Sequence, residues 1–313
     1  EENTWRVGAR VQEESMGKEY DFFKDKGLHN ESIDLGFNHK SGLFVNGGYT
    51  RNNHGGWQGD LTGREKRWHP KDQALMNGMF GFQNRNMNVW YRLDFLDEKI
   101  FGPNNGSELQ PEKVSDKDFL TKRYTHQLQS DWKLDNRLDV HAALSYQDYK
   151  RRTRTTESDL STGEKWLSSA EASQDITQYK AWIARATVAW NIAPEFSVQP
   201  GVEYQWTQGE GGRIDGTPKV SDLAFFLSAE YKPWEWLSLR PGVRTFIVAD
   251  YDAPIAIPSV LTKFKLTKHM DLRLSYAYGF RSPTLQELYF SFHNDNHDID
   301  GNPDLKAEYS HNI

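Results

Sequence analysis

Apolar and polar residues alternate one by one along most of the chain. In the stretch 197–207, Val198, Val202 and Tyr204 occupy even positions, whereas the odd positions are polar or glycine. A period of two is typical of β-strands that present one face to an apolar environment. The same alternation covers 4–14, 32–40, 43–51, 73–82, 87–96, 120–134, 137–150, 176–190, 220–232, 237–251, 259–267 and 272–281. The pattern therefore predicts an all-β chain of about thirteen strands, with one more starting near Leu305.

The predicted connections alternate in length. Tight turns are expected at 40–42, 83–86, 134–137, 191–195, 233–236 and 267–270. Longer segments are expected at 15–31, 52–72, 97–119, 151–175, 209–219, 252–258 and 282–304. Short turns on one rim and long loops on the other are typical of antiparallel, up-and-down transmembrane β-barrels of the outer membrane. A soluble β-propeller or β-sandwich binding module is the alternative.

Aromatic residues favour the barrel. Trp182 and Trp190 share one face of a predicted strand, with Ala184, Ala186 and Val188 between them. Eight residues at about 3.4 Å each, tilted by about 40°, span roughly 21 Å along a membrane normal. That length approximates the apolar band of a barrel, whose edges favour tryptophan and tyrosine. A soluble core would instead place its bulky side chains in the middle of the strands.

The composition agrees with a wall that is apolar on one face only. The 313 residues include 37% hydrophobic and 13% aromatic residues, but the mean hydropathy is −0.80. The absence of cysteine excludes disulfides and thiolate chemistry, and a net charge of −6 argues against a nucleic-acid partner. The polar faces suit a water-filled lumen or a lumen filled by a polar domain, whose acids would pair with four arginines on these faces: Arg240, Arg244, Arg273 and Arg281.

Two motifs lie near the end of the chain. The first is Gly279-Phe280-Arg281-Ser282-Pro283-Thr284-Leu285-Gln286-Glu287-Leu288-Tyr289, and the second is Gly301-Asn302-Pro303-Asp304-Leu305-Lys306-Ala307-Glu308. They resemble the G-F-R-A-P-[ST]-x-x-E-L-[YF] and G-N-P-[ND]-L-x-x-E boxes of TonB-dependent outer-membrane receptors. Ser282 stands where alanine is usual. The resemblance covers about a tenth of the chain directly.

The resemblance implies a barrel of about twenty-two strands with an N-terminal plug domain. Residues 1–313 are then expected to form part of a single barrel domain, with the plug and flanking strands outside them. Such receptors carry scarce, bulky nutrients across the outer membrane of Gram-negative bacteria, driven by the TonB–ExbB–ExbD complex. The expected ligand is an iron complex, haem or a ferric siderophore, and a cobalamin receptor is the alternative within the family. A passive porin is a further alternative.

Transport needs no covalent chemistry, so we expect no enzyme activity and no required cofactor. Neither a G-x-S-x-G elbow nor an H-E-x-x-H motif is present in the sequence. A hydrolase whose catalytic residues come from distant parts of the chain is a remote third possibility.

Two candidate metal sites fall between the motifs. In haem receptors of the family, a histidine between the two boxes ligates the haem iron, which makes His293 and His297 candidates. Asn296, Asp298 and Asp300 resemble the start of a calcium loop, with alternate oxygen ligands followed by glycine. For both sets the ordinary alternative is a solvated polar loop.

The predicted loop 52–72 combines aromatic and basic residues suited to a planar anionic ligand. The ligand-binding candidates are His54, Trp57, Trp68 and His69, beside the cations Arg64, Lys66 and Arg67. An equally weighted alternative is an interfacial anchor with cations that face lipid headgroups. The basic run 150–154 is expected to open the long loop 151–175 and to contact lipopolysaccharide phosphates. A surface lipoprotein that caps the barrel is a further possible partner.

Overall fold

The computed structural model describes residues 2–22, 25–170, 172–211, 213–248, 253–294 and 297–313. Strands β1 to β7 are Thr4–Glu14, Leu28–Asn38, Leu43–His54, Lys71–Gln83, Met87–Gly102, Lys113–Lys133 and Leu138–Asp159. Strands β8 to β14 are Lys165–Leu167, Ile176–Ala193, Phe196–Glu210, Lys219–Trp234, Leu237–Val248, Ile257–Thr267 and Met270–Arg281. Helix α1 (Leu285–Tyr289), strands β15 (Ser291–Asn294) and β16 (His297–Asp300), and strand β17 (Glu308–Asn312) complete the described elements.

The strands follow one another in the sheet in the order of the chain. The order runs from β1 to β7, continues from β9 to β14 and ends at β17, with β8 paired to β7. Helix α1 and the separate β15–β16 hairpin are inserted between β14 and β17. This antiparallel, up-and-down arrangement confirms the predicted all-β fold class, a partial β-barrel. Among the described residues, no helix is long and apolar enough to cross a membrane.

All thirteen predicted strands are present as β1–β7 and β9–β14, and the further strand is β17, which begins at Glu308 rather than near Leu305. The loops 97–119 and 151–175 were predicted too long, because β5, β6 and β7 continue beyond the apolar alternation. Backbone pairing can extend a strand through polar residues once it has left the apolar zone. The basic run 150–154 therefore lies within β7 and does not open a loop. Residues 249–251 of the predicted strand 237–251 lie outside the described residues.

The chain divides into two compact units, the first comprising residues 1–81, 91–126 and 147–179. In this unit the β1–β2 register pairs Trp5 with Phe37 and Val7 with Leu35 on one face. Trp5 and Val7 are 76% and 72% exposed, and with the exposed Leu35 and Ile33 of β2 they form a contiguous apolar patch on this face. The opposite face carries Arg6, which pairs with Asp34 at 3.4 Å. The unit thus has one lipid-compatible face and one polar face.

The second unit comprises residues 82–90, 127–146 and 180–313 and has the same two faces. On its polar face Glu203 is almost fully buried, because Arg244 Nη2 lies 2.6 Å and Arg185 Nε 3.0 Å from its carboxylate oxygens. The ring of Phe226 lies beside both guanidinium groups, 5.2 Å from Arg185 and 5.9 Å from Arg244. This face is therefore packed as well as charged.

Barrel strands supply carboxylate partners for two of the four arginines that were expected to meet a plug. Arg244 pairs with Glu203, and Arg240 Nη2 lies 2.8 Å from Glu230 Oε1. Arg281 pairs with acids of the motif segment, described below. These three arginines therefore find charge partners within the described chain.

Aromatic residues lie on the apolar face of the second unit, as the pattern predicts. Trp182 and Trp190 are both substantially exposed on β9, and the Trp182 ring packs 4.4 Å from that of Tyr146. Trp234 and Trp236 stack at 5.2 Å beside the tight turn that joins β11 and β12. Such pairs at the strand ends suit the interfacial belt of a membrane barrel.

We predict that Gly201→Ala destabilises the barrel, because the neighbouring strands β9 and β11 leave no room for a side chain there. A Cβ at position 201 would clash with Phe226 Cζ and would lie 2.9 Å from the carbonyl oxygen of Ala186 on β9. Phe226 cannot move away without leaving its two arginines, so the expected loss is about 1–3 kcal/mol. This loss of stability is measured as the shift in the urea concentration at which half of the intact receptor, refolded in liposomes, is unfolded.

The matched control for this prediction is Gly78→Ala on β4. A Cβ at Gly78 meets nothing within 4 Å, so the substitution should leave the midpoint unchanged or raise it slightly. Equal midpoints for the two variants would contradict the packing described for Phe226.

Candidate functional site

The long loop between β3 and β4 folds back on itself through two tryptophans. Trp57 N donates to Trp68 O at 2.9 Å, and Trp68 N donates to Trp57 O at 3.1 Å. The two indole rings lie 5.5 Å apart, and the His54 ring lies 6.1 Å from that of Trp68. Gly56 has a φ of 80°, a left-handed conformation that glycine adopts without strain. The paired tryptophans and the neighbouring His54 ring thus form an aromatic cluster where the loop leaves the sheet.

A cleft of about 660 Å³ lies beside Trp68. It is lined by Leu28, Asn52, Asn53, His54, Arg67, Trp68, His69, Lys71, Gln73 and Ile100. The charged side chains in this lining, Arg67 and Lys71, are cationic, although Arg67 also holds Asp60 by a two-pronged ion pair. An indole face, two imidazoles and two cations together suit a flat, anionic ligand.

The structure sorts the residues predicted for this loop. His54, Trp68 and His69 line the cleft. Trp57 does not line it but packs its indole ring against that of Trp68. Arg64 has a structural contact, since its guanidinium forks onto Asp116 at 2.6 and 3.0 Å. Lys66 lines a smaller hollow of about 280 Å³.

Lys71 and Ile100 are cleft residues that the sequence prediction missed. Lys71 is the first residue of β4, directly after the loop, so its position beside the loop was a usable signal. Ile100 comes from β5, and only the strand register brings it to the cleft.

The basic run of β7 is only partly available to lipid phosphates. Arg154 Nη2 lies 2.5 Å from Asp118, which Lys99 also reaches at 3.2 Å. The guanidinium of Arg151 lies 4.5 Å from the ring centre of Phe119. Arg151 and Arg154 therefore contact side chains of the neighbouring strand β6. Lys150 and Arg152 are the remaining cations of the run.

The two sequence motifs meet at a salt-bridged clasp. Arg281, the last residue of β14, donates to both carboxylate oxygens of Glu287 at 3.0 and 3.1 Å. It also donates to both oxygens of Glu308 at 2.8 and 2.9 Å. The register of β14 with β17 places Arg281 opposite Glu308. One guanidinium thus joins the first motif to the last residue of the second.

Glu287 also caps helix α1. Thr284 Oγ1 accepts from Glu287 N at 3.2 Å, and Thr284 N donates to the Glu287 carboxylate at 2.7 Å. The Arg281 guanidinium and then the Thr284 N–H lower the pKa of Glu287 to about 2, so the clasp is charged at neutral pH. Thr284 and Glu287 form a capping box, a signal in the sequence that predicts the start of a helix and was overlooked.

The second motif packs against this helix. Gly301 N donates to Phe290 O at 2.6 Å, and a Cβ at Gly301 would lie 2.7 Å from the carbonyl group of Leu288. Asn302 N donates to Glu287 O at 3.0 Å, and the Asn302 side chain accepts from Asp304 N at 2.9 Å. The remaining motif residues surround this core: Gly279 and Phe280 on β14, Pro283 before the helix, Leu288 buried and Tyr289 at its end, and Pro303 and Leu305 in the following turn.

The β15–β16 hairpin brings His293 together with Asp298 and Asp300. His293 Nδ1 bonds the Asp298 carboxylate, and His293 Nε2 lies 3.1 Å from Asp300 Oδ1 and 3.1 Å from Ser291 Oγ. Asp298, and then Asp300, raise the pKa of His293 above its ordinary value. The sequence had assigned His293 to haem and the two aspartates to calcium, and the structure places all three in one cluster.

The other members of those two predicted sites are not described. Asn296 lies outside the described residues, and so does the side chain of His297, whose backbone pairs with Asn294. Neither the haem role nor the calcium role is tested by this geometry.

We predict that Arg281→Gln loosens the motif segment, because Glu287 and Glu308 lose their shared cation and then repel one another. Proteinase K added to intact cells should cleave between residues 285 and 308 several-fold faster than in the wild-type receptor. Arg281→Lys should lie between the two, since lysine cannot fork onto two carboxylates.

Arg152→Gln, which removes an exposed arginine of β7, is the matched control and should leave that cleavage rate unchanged. Equal rates in Arg281→Gln and Arg152→Gln would show that the clasp does not hold the segment.

Residues 199–313 match the family described as TonB dependent receptor-like, beta-barrel. No curated protein sequence matches the chain. Among solved structures, the copper transporter OprC is 12% identical with a TM-score of 0.69, over 99% of this chain and 51% of that one. The siderophore receptor PirA from Pseudomonas aeruginosa gives the same values, 12%, 0.69, 99% and 51%. A variant of the ferric enterobactin receptor PfeA from the same organism is 14% identical, with a TM-score of 0.65 over 98% and 50%.

The chain thus spans about half the length of these structures. At such low identity the likeness shows the fold alone, whereas the family match covers the part of the chain that contains both motifs. The resemblance of the motifs, the strand order and the two-faced strands agree with it. Residues 199–313 therefore match the β-barrel of the TonB-dependent receptors, a family of the bacterial outer membrane, and the chain shares the fold of the solved receptors OprC and PirA.

Proposed function

We propose that the receptor to which this chain belongs imports an anionic, flat-faced iron complex, a ferric siderophore or haem, across the outer membrane. The observation that carries the proposal is the cleft beside Trp68, with its indole face, its two imidazoles and its cations. The siderophore receptor PirA and the ferric enterobactin receptor PfeA share the fold, as does the copper transporter OprC, so the fold is compatible with an iron complex and the cleft carries the choice of ligand.

The cleft suits a catecholate complex through two kinds of contact. Aromatic donor groups stack on the indole of Trp68, and the negative charge of the ferric complex is met by Arg67 and Lys71. Haem is a second candidate, because its propionates would use the same cations. Neutral imidazole is a suitable axial ligand for iron, and both His54 and His69 line this cleft.

The energy source is the TonB–ExbB–ExbD complex, which we propose as the partner of the whole receptor. A domain that fills the barrel would receive the ligand and respond to TonB, which distinguishes this function from passive diffusion through a porin. Lys150 and Arg152 on β7 are proposed contacts for lipopolysaccharide phosphates, since the outer leaflet is anionic. A capping surface lipoprotein remains a proposal from the family resemblance alone.

We predict that Trp68→Ala and Lys71→Gln each weaken binding of ferric enterobactin or of haemin to the intact receptor by about 10-fold or more. The reason is the loss of a stacking face or of a charge at the centre of the site. The matched controls, Trp166→Ala and Lys165→Gln, remove the same residue types from the exposed strand β8 and should leave the affinity unchanged. Binding is measured by isothermal titration in detergent, with haemin also followed at the Soret band.

Uptake of the bound complex by cells, traced with radioactive iron, should stop when TonB is deleted although binding continues. Uptake that persists without TonB would identify a porin-like pathway. Saturable binding of cobalamin, with no affinity for either iron complex, would overturn the proposed ligand class.

For the haem candidate, His54→Ala or His69→Ala should abolish the Soret shift of bound haemin. If only His293→Ala or His297→Ala abolishes it, the iron ligand lies in the motif segment and the cleft is not the haem site.

A further inference from the structure

The β15–β16 hairpin has one polar face built from alternate residues of both strands. Its register places Ser291 opposite Asp300 and His293 opposite Asp298. Residues two apart on a strand share a face, so these four side chains form one patch. One ligand atom from each of His293, Asp298 and Asp300 lies within 4.8 Å of the other two.

The hairpin is anchored, so the patch has a defined geometry. The guanidinium of Arg213 lies 4.4 Å from the ring centre of Phe292, and Ser291 N donates to Arg213 O at 3.1 Å. At its base, Gly301 N donates to Phe290 O, and Phe290 forms a β-bridge with the buried Ile214. The backbone that carries the three ligand atoms is therefore held from both ends.

We propose that His293, Asp298 and Asp300 form a binding site for a divalent transition-metal ion of the zinc, copper, nickel or cobalt class. An imidazole nitrogen combined with carboxylate oxygens is a donor set that these ions accept in proteins. Calcium and magnesium prefer oxygen ligands alone, so an imidazole at the centre of the cluster disfavours them.

The charges of the cluster also favour a cation. Two carboxylates surround one imidazole, so the patch carries negative charge whether or not the ring is protonated. A divalent ion would replace the hydrogen bonds from His293 to its two aspartates. Asp298 bonds Nδ1 and Asp300 bonds Nε2, so an ion bound at one ring nitrogen gains the second carboxylate by rotation of these exposed side chains.

Three protein ligands leave coordination positions open. The side chains of His293, Asp298 and Asp300 are 53%, 88% and 64% exposed, so water or a donor group of an incoming molecule can reach a bound ion. The inference goes beyond iron-complex import, because this site takes a free metal ion and does not depend on which complex is carried.

The test is isothermal titration of Zn²⁺ and Co²⁺ into the intact receptor purified without a polyhistidine tag. We expect saturable one-to-one binding of Zn²⁺ and a cobalt visible spectrum typical of mixed nitrogen and oxygen ligands. His293→Ala, Asp298→Asn and Asp300→Asn should each weaken the affinity by at least about 10-fold, because even the loss of a supporting group around a metal costs roughly 10–100-fold. Heat modifiability on gels shows that each variant is folded.

His269→Ala is the matched control, since it removes a histidine from the tight turn between β13 and β14 and should leave Zn²⁺ binding unchanged. Absence of saturable binding, or binding that survives His293→Ala, overturns the site. Calcium binding in preference to Zn²⁺ overturns the proposed class of ion. Failure of haemin and ferric enterobactin to bind does not bear on this test, so the two proposals stand or fall separately.

Discussion

A strand that crosses lipid must pair its backbone with both neighbours, and this requirement organises the whole chain. Unpaired N–H and C=O groups in the hydrocarbon region are costly, so the strands form one continuous antiparallel series in chain order. Pairing fixes the pleat, and the pleat sends alternate side chains to opposite faces. The sequence can therefore have low mean hydropathy and still build a membrane wall, because only one residue in two faces lipid.

The polar face needs its own stabilisation, and ion pairs between different strands supply it. Glu203 is nearly buried beneath two arginines that come from different strands, and a phenylalanine ring packs against both. Removing one member would leave a charge without its partner in a poorly solvated place. The same principle extends to the clasp at Arg281, where a cation at the end of a strand organises a helix and a turn.

The alternation of side chains made the strands and tight turns predictable from the sequence, because each depends on local pattern. Helix α1 was predictable in principle from Thr284 and Glu287, whereas the short strands β8, β15 and β16 are too brief for a period to emerge. The cleft was predictable only in part: His54, Trp68 and His69 belong to one loop, but Ile100 arrives from another strand. His293, Asp298 and Asp300 became a cluster only once the hairpin register was known. Long-range register is the information that a single sequence lacks.

The two-faced strands build a membrane wall only if one face of each strand meets lipid and the other meets water. Residues 1–313 contain no cysteine, so a single cysteine placed along β1 is the one thiol in this part of the receptor, and the parent receptor serves as the labelling blank. The measurement is labelling of Val7→Cys, Ala9→Cys, Arg6→Cys and Arg10→Cys by a membrane-impermeant maleimide in isolated outer membranes. We expect rapid labelling at positions 6 and 10, on the polar face, and protection at positions 7 and 9, on the lipid face. Uniform labelling of all four, or protection at 6 and 10 instead, would contradict it.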